Sequence, residues 1–362
     1  MLDYSTFCNL KNAIQPKTWK SINELLTRSA VEDGKINGDR LRLDTTAFET
    51  NIHYPTDSGL LYDVYRVISR MIRTVREIDP EAASDKRLKT KTVKRLHTKI
   101  ARISGKKKKD NEKAKDLYIQ LIAHIGRLLA WVPSVIVRLS DGLDADIYEM
   151  FDALIVESTI EQINHYRLLG LRVVDQAQRR VIEGKKVPND EKIFSIFEPH
   201  TELLIRGKAG KPIEFGHMIS LQQVEEKFIT DYEVFMKRPV ESALIDPALK
   251  SHRNFFGKNP KELSTDKGYY EGMLKIMELE EEIEVVSIGK KGKRSEEETA
   301  RETSHGFKLG QRFRAGIEGS ISFLKRILGM WRCMNKGWEH YVSTVGATVF
   351  AHNLLILANN SG

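Results

Sequence analysis

Apolar residues recur every three or four positions from Ser58 to about Asn189, in segments such as LLYDVYRVISRMIRTV and DLYIQLIAHIGRLLAWV. That period follows the turn of an α-helix and predicts an almost wholly helical block. On either side the period changes. Residues 41–49, LRLDTTAFE, alternate like a strand, with Leu41, Leu43, Thr45 and Ala47 on one face and Arg42, Asp44, Thr46 and Phe48 on the other. IEFGHMISL (213–221) and KFITDYEVF (227–235) alternate in the same way and predict a pair of strands, preceded by a glycine- and lysine-rich loop, RGKAGK, at 206–211.

The remaining stretches complete the outline. The first forty residues predict a helical segment whose buried face is Trp19, Ile22, Leu25 and Leu26, with Gly34 and Gly38 as breakers after it. Asp57 stands where the long helical block should begin and is the expected cap. A helix is expected near 239–256, a strand ending at Asp266, a helix from Gly272, and a short apolar strand in IEVVSIG. Residues 289–305, rich in charge, predict an exposed loop. From Phe313 to Lys325 a further helix is expected, with Ile317, Ile321, Leu324 and Leu328 as its apolar stripe. The pattern alone gives an α/β protein with a helical insertion. Its parts are an N-terminal helical segment (1–40), the first strand region (41–57), the insertion (58–190) and the rest of the sheet with C-terminal helices (191–362).

Composition narrows the class without naming a function. With 362 residues, 41% hydrophobic and 30% charged, the chain can bury a sizeable core. The first residues carry no apolar signal core, and neither secretion nor membrane insertion is expected. Two cysteines, Cys8 and Cys333, suit a reduced, cytoplasmic setting. The net charge of +8 favours an acidic partner, and its distribution says more than its sum. Between residues 86 and 109 there are twelve Lys or Arg residues and no acid, ending in Lys106, Lys107, Lys108 and Lys109. Such a block is either a solvated hairpin tip or a phosphate-binding face, which Arg66, Arg70, Arg73 and Arg76 would extend. Few aromatics interleave, so base stacking is not the expected mode.

Several residues are candidates for chemistry. Asp44 lies mid-strand, where its short polar side chain competes with the ladder. Asp266, followed by Lys-Gly, fits a turn at a strand end, which is also where open α/β sheets carry their chemistry. Arg314, Glu318 and Lys325 stack on one face of the last predicted helix, either as a surface ion-pair ladder or as a functional set. Lys208 and Lys211 belong to a plain hairpin connection or to a nucleic-acid contact. His217 is a strand residue or a substrate contact. No nucleotide-loop spacing and no zinc-ligand spacing is present.

The Arg-x3-Glu-x6-Lys spacing of Arg314, Glu318 and Lys325 resembles the signature of the last catalytic carboxylate in insertion-sequence DDE transposases, with Gln311 where a Tyr often stands. FRAGIEGSISFLKRILGMWRCMNKG followed by AHNLLILA resembles the C-terminal part of their ISNCY group. LRLDTTAFETNIHYPTDSGLL is similar to that group's first-aspartate segment, FSIFEPHTELLIRGKAGKPIEFGHMISL to its central segment, and TDKGY to its second-aspartate motif. The resemblance runs from about residue 5 to the end. It implies an RNase H-like core: a mixed five-stranded sheet flanked by helices, with a large all-helical insertion after the first strand. It also implies Asp44, Asp266 and Glu318 as the metal-binding catalytic triad, with two Mg²⁺ or Mn²⁺ ions. Arg314, Lys325, Lys208, Lys211 and Lys106 to Lys109 would then contact DNA. The activity implied is hydrolysis of a phosphodiester at an element end, followed by transfer of the freed 3′-hydroxyl to target DNA.

The group usually carries a longer N-terminal region with a helix-turn-helix that binds element ends, and this chain starts inside that pattern. Self-association as a dimer or larger assembly on DNA, at the nucleoid, is expected by analogy. Two other readings stay open at this point: a truncated, inactive remnant, and a nucleic-acid-binding protein without catalysis.

Overall fold

The computed structural model describes residues 4–103, 108–208 and 210–359. The chain divides into two compact units. One combines residues 1–51 with 202–362, and the other is the intervening stretch 52–201.

The first unit opens with α1 (Tyr4–Ala13), α2 (Pro16–Glu32) and β1 (Arg40–Thr50). The second unit consists of α3 (Asp57–Ile78), α4 (Thr90–Ile103), α5 (Lys108–Asp144) and α6 (Met150–Ala177), the last running into a π-helical turn. The first unit then resumes with β2 (Glu202–Lys208), β3 (Lys211–Val224), β4 (Ile229–Val234), α7 (Ile245–Phe256), β5 (Glu262–Thr265), α8 (Met273–Glu280) and β6 (Val285–Ser287). It ends with α9 (Glu296–Thr303), α10 (His305–Arg326), β7 (Arg332–Cys333) and α11 (Trp338–Asn359).

All seven strands form one mixed sheet with β1 at its centre. β3 pairs with β1 antiparallel, β5 pairs with it parallel, and β6 follows β5 in parallel. β2 and β4 share the far edge of β3, and β7 adds a short pairing at the end of β1. β1 is buried on both faces because its alternation serves two cores. Leu41 and Leu43 pack with Leu249, Leu263, Ile276 and Val286, whereas Phe48 joins Ile219, Leu221, Ile317, Leu324 and Val345. The apolar stripe of α10 therefore docks as its spacing indicates, with Ile317 and Leu324 fully buried. Gly310 lets the helix approach closely, since a Cβ there would stand 2.5 Å from the Ser287 Cβ.

The helical unit has its own core, in which α3 contributes Leu61, Val64, Ile68 and Ile72 and α5 contributes Leu121, Ile125, Val132 and Val135. Two helical stretches, Glu112–Asp144 and Trp338–Asn359, are long and apolar enough to cross a bilayer by composition, although each supplies buried residues to a core.

Four local expectations are corrected. The buried face of α2 is Trp19, Asn23, Thr27 and Ala30, and Leu25 is exposed. That face is polar because Asn23 Nδ2 donates to the Gly346 carbonyl at 3.1 Å and Thr27 donates to the Asn23 carbonyl. The cap of α3 is Thr56, whose hydroxyl accepts from Gly59 N, which frees Asp57 to pair with Arg180 at 2.9 Å. Strand β2 runs through Lys208 and β3 begins at Lys211, so most of the expected loop at 206–211 is strand. Within 289–305, residues 296–303 form α9, because Ser295 and Glu298 make a reciprocal capping box.

Candidate functional site

The centre of the site is set by strand register. β1 and β5 run parallel with Leu43 opposite Thr265, so Asp44 and Asp266 are the next residues in line, one on β1 and the other just past the end of β5. Adjacent strands lie about 4.8 Å apart. Asp266 continues in extended conformation past the end of β5 and caps the short 3₁₀ turn Lys267–Tyr269, its Oδ1 accepting from Gly268 N at 2.7 Å. The turn role open to this residue is thus real, and it occupies only one carboxylate oxygen. Asp44 Oδ1 accepts from Thr45 N at 2.7 Å, and its side chain is 14% exposed.

Helix α10 carries Glu318 and connects it to Asp44 through Arg314. Arg314 reaches across from the helix, with Nη1 4.0 Å from Asp44 Oδ2 and Nη2 3.1 Å from Glu318 Oε1. Glu318 is 62% exposed, so this i,i+4 pair by itself contributes little to stability. Its geometric meaning is greater: one guanidinium links the strand acid to the helix acid. The Arg314 Nε is buried without a hydrogen-bond partner.

Two polar anchors hold α10 in this position. Gln311 Nε2 donates to the Thr265 carbonyl at 3.2 Å and to the Ser287 carbonyl at 2.8 Å, tying the helix to the ends of β5 and β6 immediately before Asp266. Arg42, buried on β1, donates through Nε to Gln223 and through Nη1 to the Phe313 carbonyl at 2.6 Å. Burial, reinforced by the neighbouring Arg40, lowers the Arg42 guanidinium to about 10.

Sequence reasoning missed Glu241 and Tyr269. Glu241 opens a 3₁₀ turn before α7, where an acid reads as an ordinary helix-start residue, and no local signal separates it from that role. Its Oε1 accepts from the Thr45 hydroxyl at 2.8 Å. A side chain at Gly268 would collide with the Glu241 carboxylate and meet Asp266 Oδ1 at 2.9 Å, so the two carboxylates lie side by side against the Gly268 backbone. Tyr269 is 1% exposed. Burial, with Asp44, Glu241 and Asp266 adding to it, keeps its hydroxyl protonated far above the usual range.

The other candidates stand apart. Lys325 lies on α10 two turns beyond Glu318, roughly 10 Å along the axis. His217 is a core residue, fully buried against Trp338 and Tyr341, with Nδ1 3.0 Å from the Phe235 carbonyl. Lys208 and Lys211 face each other at the β2–β3 turn, and their side chains lie outside the described residues. Lys106 and Lys107 also lie outside the described residues, and of Lys108 and Lys109 only the helical backbone is described. In the helical unit, α4 buries Val93, Leu96 and Ile100 and exposes Lys91, Lys94, Arg95, Lys99 and Arg102. Among the described residues none of these five cations pairs with an acid.

An all-carboxylate donor set, without Cys or His, fits a hard divalent ion that keeps water and takes substrate oxygens. Among the described residues no three such side chains are already close enough to hold an ion by themselves. The fit is therefore to an ion held by one or two carboxylates with water and phosphate completing its shell. No family model, curated protein or solved structure matches this chain.

Proposed function

We propose that this protein is a DNA transposase of the DDE kind with an RNase H-like core, acting on phosphodiesters at element ends and transferring the freed 3′-hydroxyl to target DNA. The observation that carries the reading is that Asp44 and Asp266 directly follow Leu43 and Thr265, which pair on two parallel neighbouring strands, with Glu318 tied to Asp44 through Arg314. The sheet supports the RNase H-like assignment: β4 and β3 run antiparallel up to a central β1, and β5 and β6 continue from it in parallel. The first acid then sits on the central strand, the second at the neighbouring strand end, and the third on the helix that covers them.

Divalent ions held at this site would lower the pKa of a water or 3′-hydroxyl and stabilise the leaving oxygen. The carboxylates of Asp44, Asp266 and Glu318 would hold those ions. Arg314, which pairs with Asp44 and Glu318, would fork onto a phosphate of the substrate. Lys325, further along α10, would meet a flanking phosphate as a point charge. The acid-free exposed face of α4 supplies a sequence-independent hold on the backbone.

That same face also supports binding without catalysis, the second reading. Incubating the protein with a supercoiled plasmid carrying the DNA that flanks its gene separates the two. Mg²⁺-dependent nicking at the gene's borders, lost in chelator, supports the transposase; binding with no nicking in Mg²⁺ or Mn²⁺ supports the second reading or an inactive remnant.

A further inference from the structure

We propose that Glu241 is a fourth carboxylate of the site and shares with Asp266 the divalent ion nearest the end of β5. The inference rests on the reading that Asp44 and Asp266 face a cation. Three independent observations point to it.

First, Glu241 and Asp266 abut across the Gly268 backbone, where only a glycine fits between them. Two carboxylates side by side repel unless a cation or a proton lies between them. Among the described residues, no Lys or Arg forms an ion pair with either one. Elsewhere in this unit neighbouring acids are attended by a cation: Lys20 stands beside Asp231 and Glu233, and Arg40 beside Glu225 and Glu262.

Second, Glu241 is held to the triad strand. Thr45, the residue after Asp44, donates its hydroxyl to Glu241 Oε1, which orients the carboxylate and leaves Oε2 toward Gly268 and Asp266. Third, the Tyr269 hydroxyl, one residue beyond the Gly268 backbone that Glu241 and Asp266 flank, is fully buried and lies beside Ser220 without completing a hydrogen bond. A buried hydroxyl without a partner costs about 1–3 kcal/mol. Water in the shell of an ion held by Glu241 and Asp266 would satisfy it. Mg²⁺ and Mn²⁺ sites made of one or two carboxylates, several waters and substrate phosphates have this composition.

The test uses the whole 362-residue chain and Mn²⁺ itself, with binding measured by calorimetry and by the loss of free-Mn²⁺ paramagnetic signal. Glu241→Gln keeps the shape and the Thr45 hydrogen bond and removes the charge. It should weaken Mn²⁺ at least about tenfold, the loss that even outer-shell partners bring, and Asp266→Asn should do the same. Thr45→Val, which removes the hydrogen bond and keeps the charge, should weaken binding much less. Fe²⁺ with peroxide and ascorbate should cut the backbone near 241 and 266–268, and the cut near 241 should fade in Glu241→Gln. Unchanged Mn²⁺ affinity in a folded Glu241→Gln, or no cut near 241, overturns the proposal, as does a loss in Thr45→Val equal to that in Glu241→Gln. Mn²⁺ binding that needs Glu241 but leaves DNA intact would remove the transposase reading and keep this site. Mg²⁺-dependent nicking with Glu241→Gln binding Mn²⁺ normally would do the reverse.

Discussion

Arg314 stands between Asp44 and Glu318, 4.0 Å from the strand acid and 3.1 Å from the helix acid, and so joins two residues 274 positions apart in the chain. Replacement by Lys keeps the charge and loses the planar fork. Arg314→Lys should fold normally and nick DNA about a hundredfold more slowly, the typical cost of one transition-state donor. Single-turnover nicking beside a thermal melt checks both halves.

Gln311 stitches α10 to the carbonyls that end β5 and β6. Gln311→Leu leaves those acceptors without their donor, and each buried acceptor stranded in this way costs about 1–3 kcal/mol. A lower urea midpoint at unchanged slope is the expected result.

His252 is fully buried against Phe256, and burial lowers its pKa to about 4. The ring is neutral in the folded protein, whereas the unfolded chain takes up its proton near pH 6.5. The unfolded state therefore binds more protons between those values, and stability falls as pH drops from about 6.5 toward 4. The contribution is on the order of 3 kcal/mol. His252→Phe should flatten that part of a stability–pH profile measured by denaturant unfolding.

Five cations on α4 face solvent, and among the described residues none of them pairs with an acid. Changing Lys94, Arg95 and Lys99 together to Gln should weaken DNA binding for all sequences. The slope of log affinity against log salt should drop by about one unit for each phosphate no longer neutralised. A fluorescence-anisotropy salt series on two unrelated duplexes would reveal this.

What the sequence disclosed depended on how local the cause was. Periodicity placed β1, the apolar stripe of α10 and the helical block, because one period with one buried face leaves a plain mark. Asp44, Asp266 and Glu318 were named from family phrases, and periodicity only set the elements that carry them. The face of α2 was misjudged because Asn23 and Thr27 are buried by partners more than two hundred residues away, which no helical pattern records. α9 was missed although Ser295 and Glu298 spell a capping box, since the charge around them masked it. Glu241 joins the site only through the Thr45 hydrogen bond and the turn after Asp266, and Tyr269, although part of the TDKGY phrase, showed no sign in the linear pattern of its burial beside these acids.

The central claim is that Asp44, Asp266 and Glu318 act together on phosphodiesters. The most direct measurement is Mg²⁺-dependent nicking of the flanking DNA by Asp44→Asn, Asp266→Asn and Glu318→Gln, each compared with the unaltered protein at matched DNA occupancy. The account predicts that nicking disappears in all three while DNA binding stays within about twofold, since a triad acting as a unit fails when any member is lost. Cleavage that persists in all three variants would contradict it.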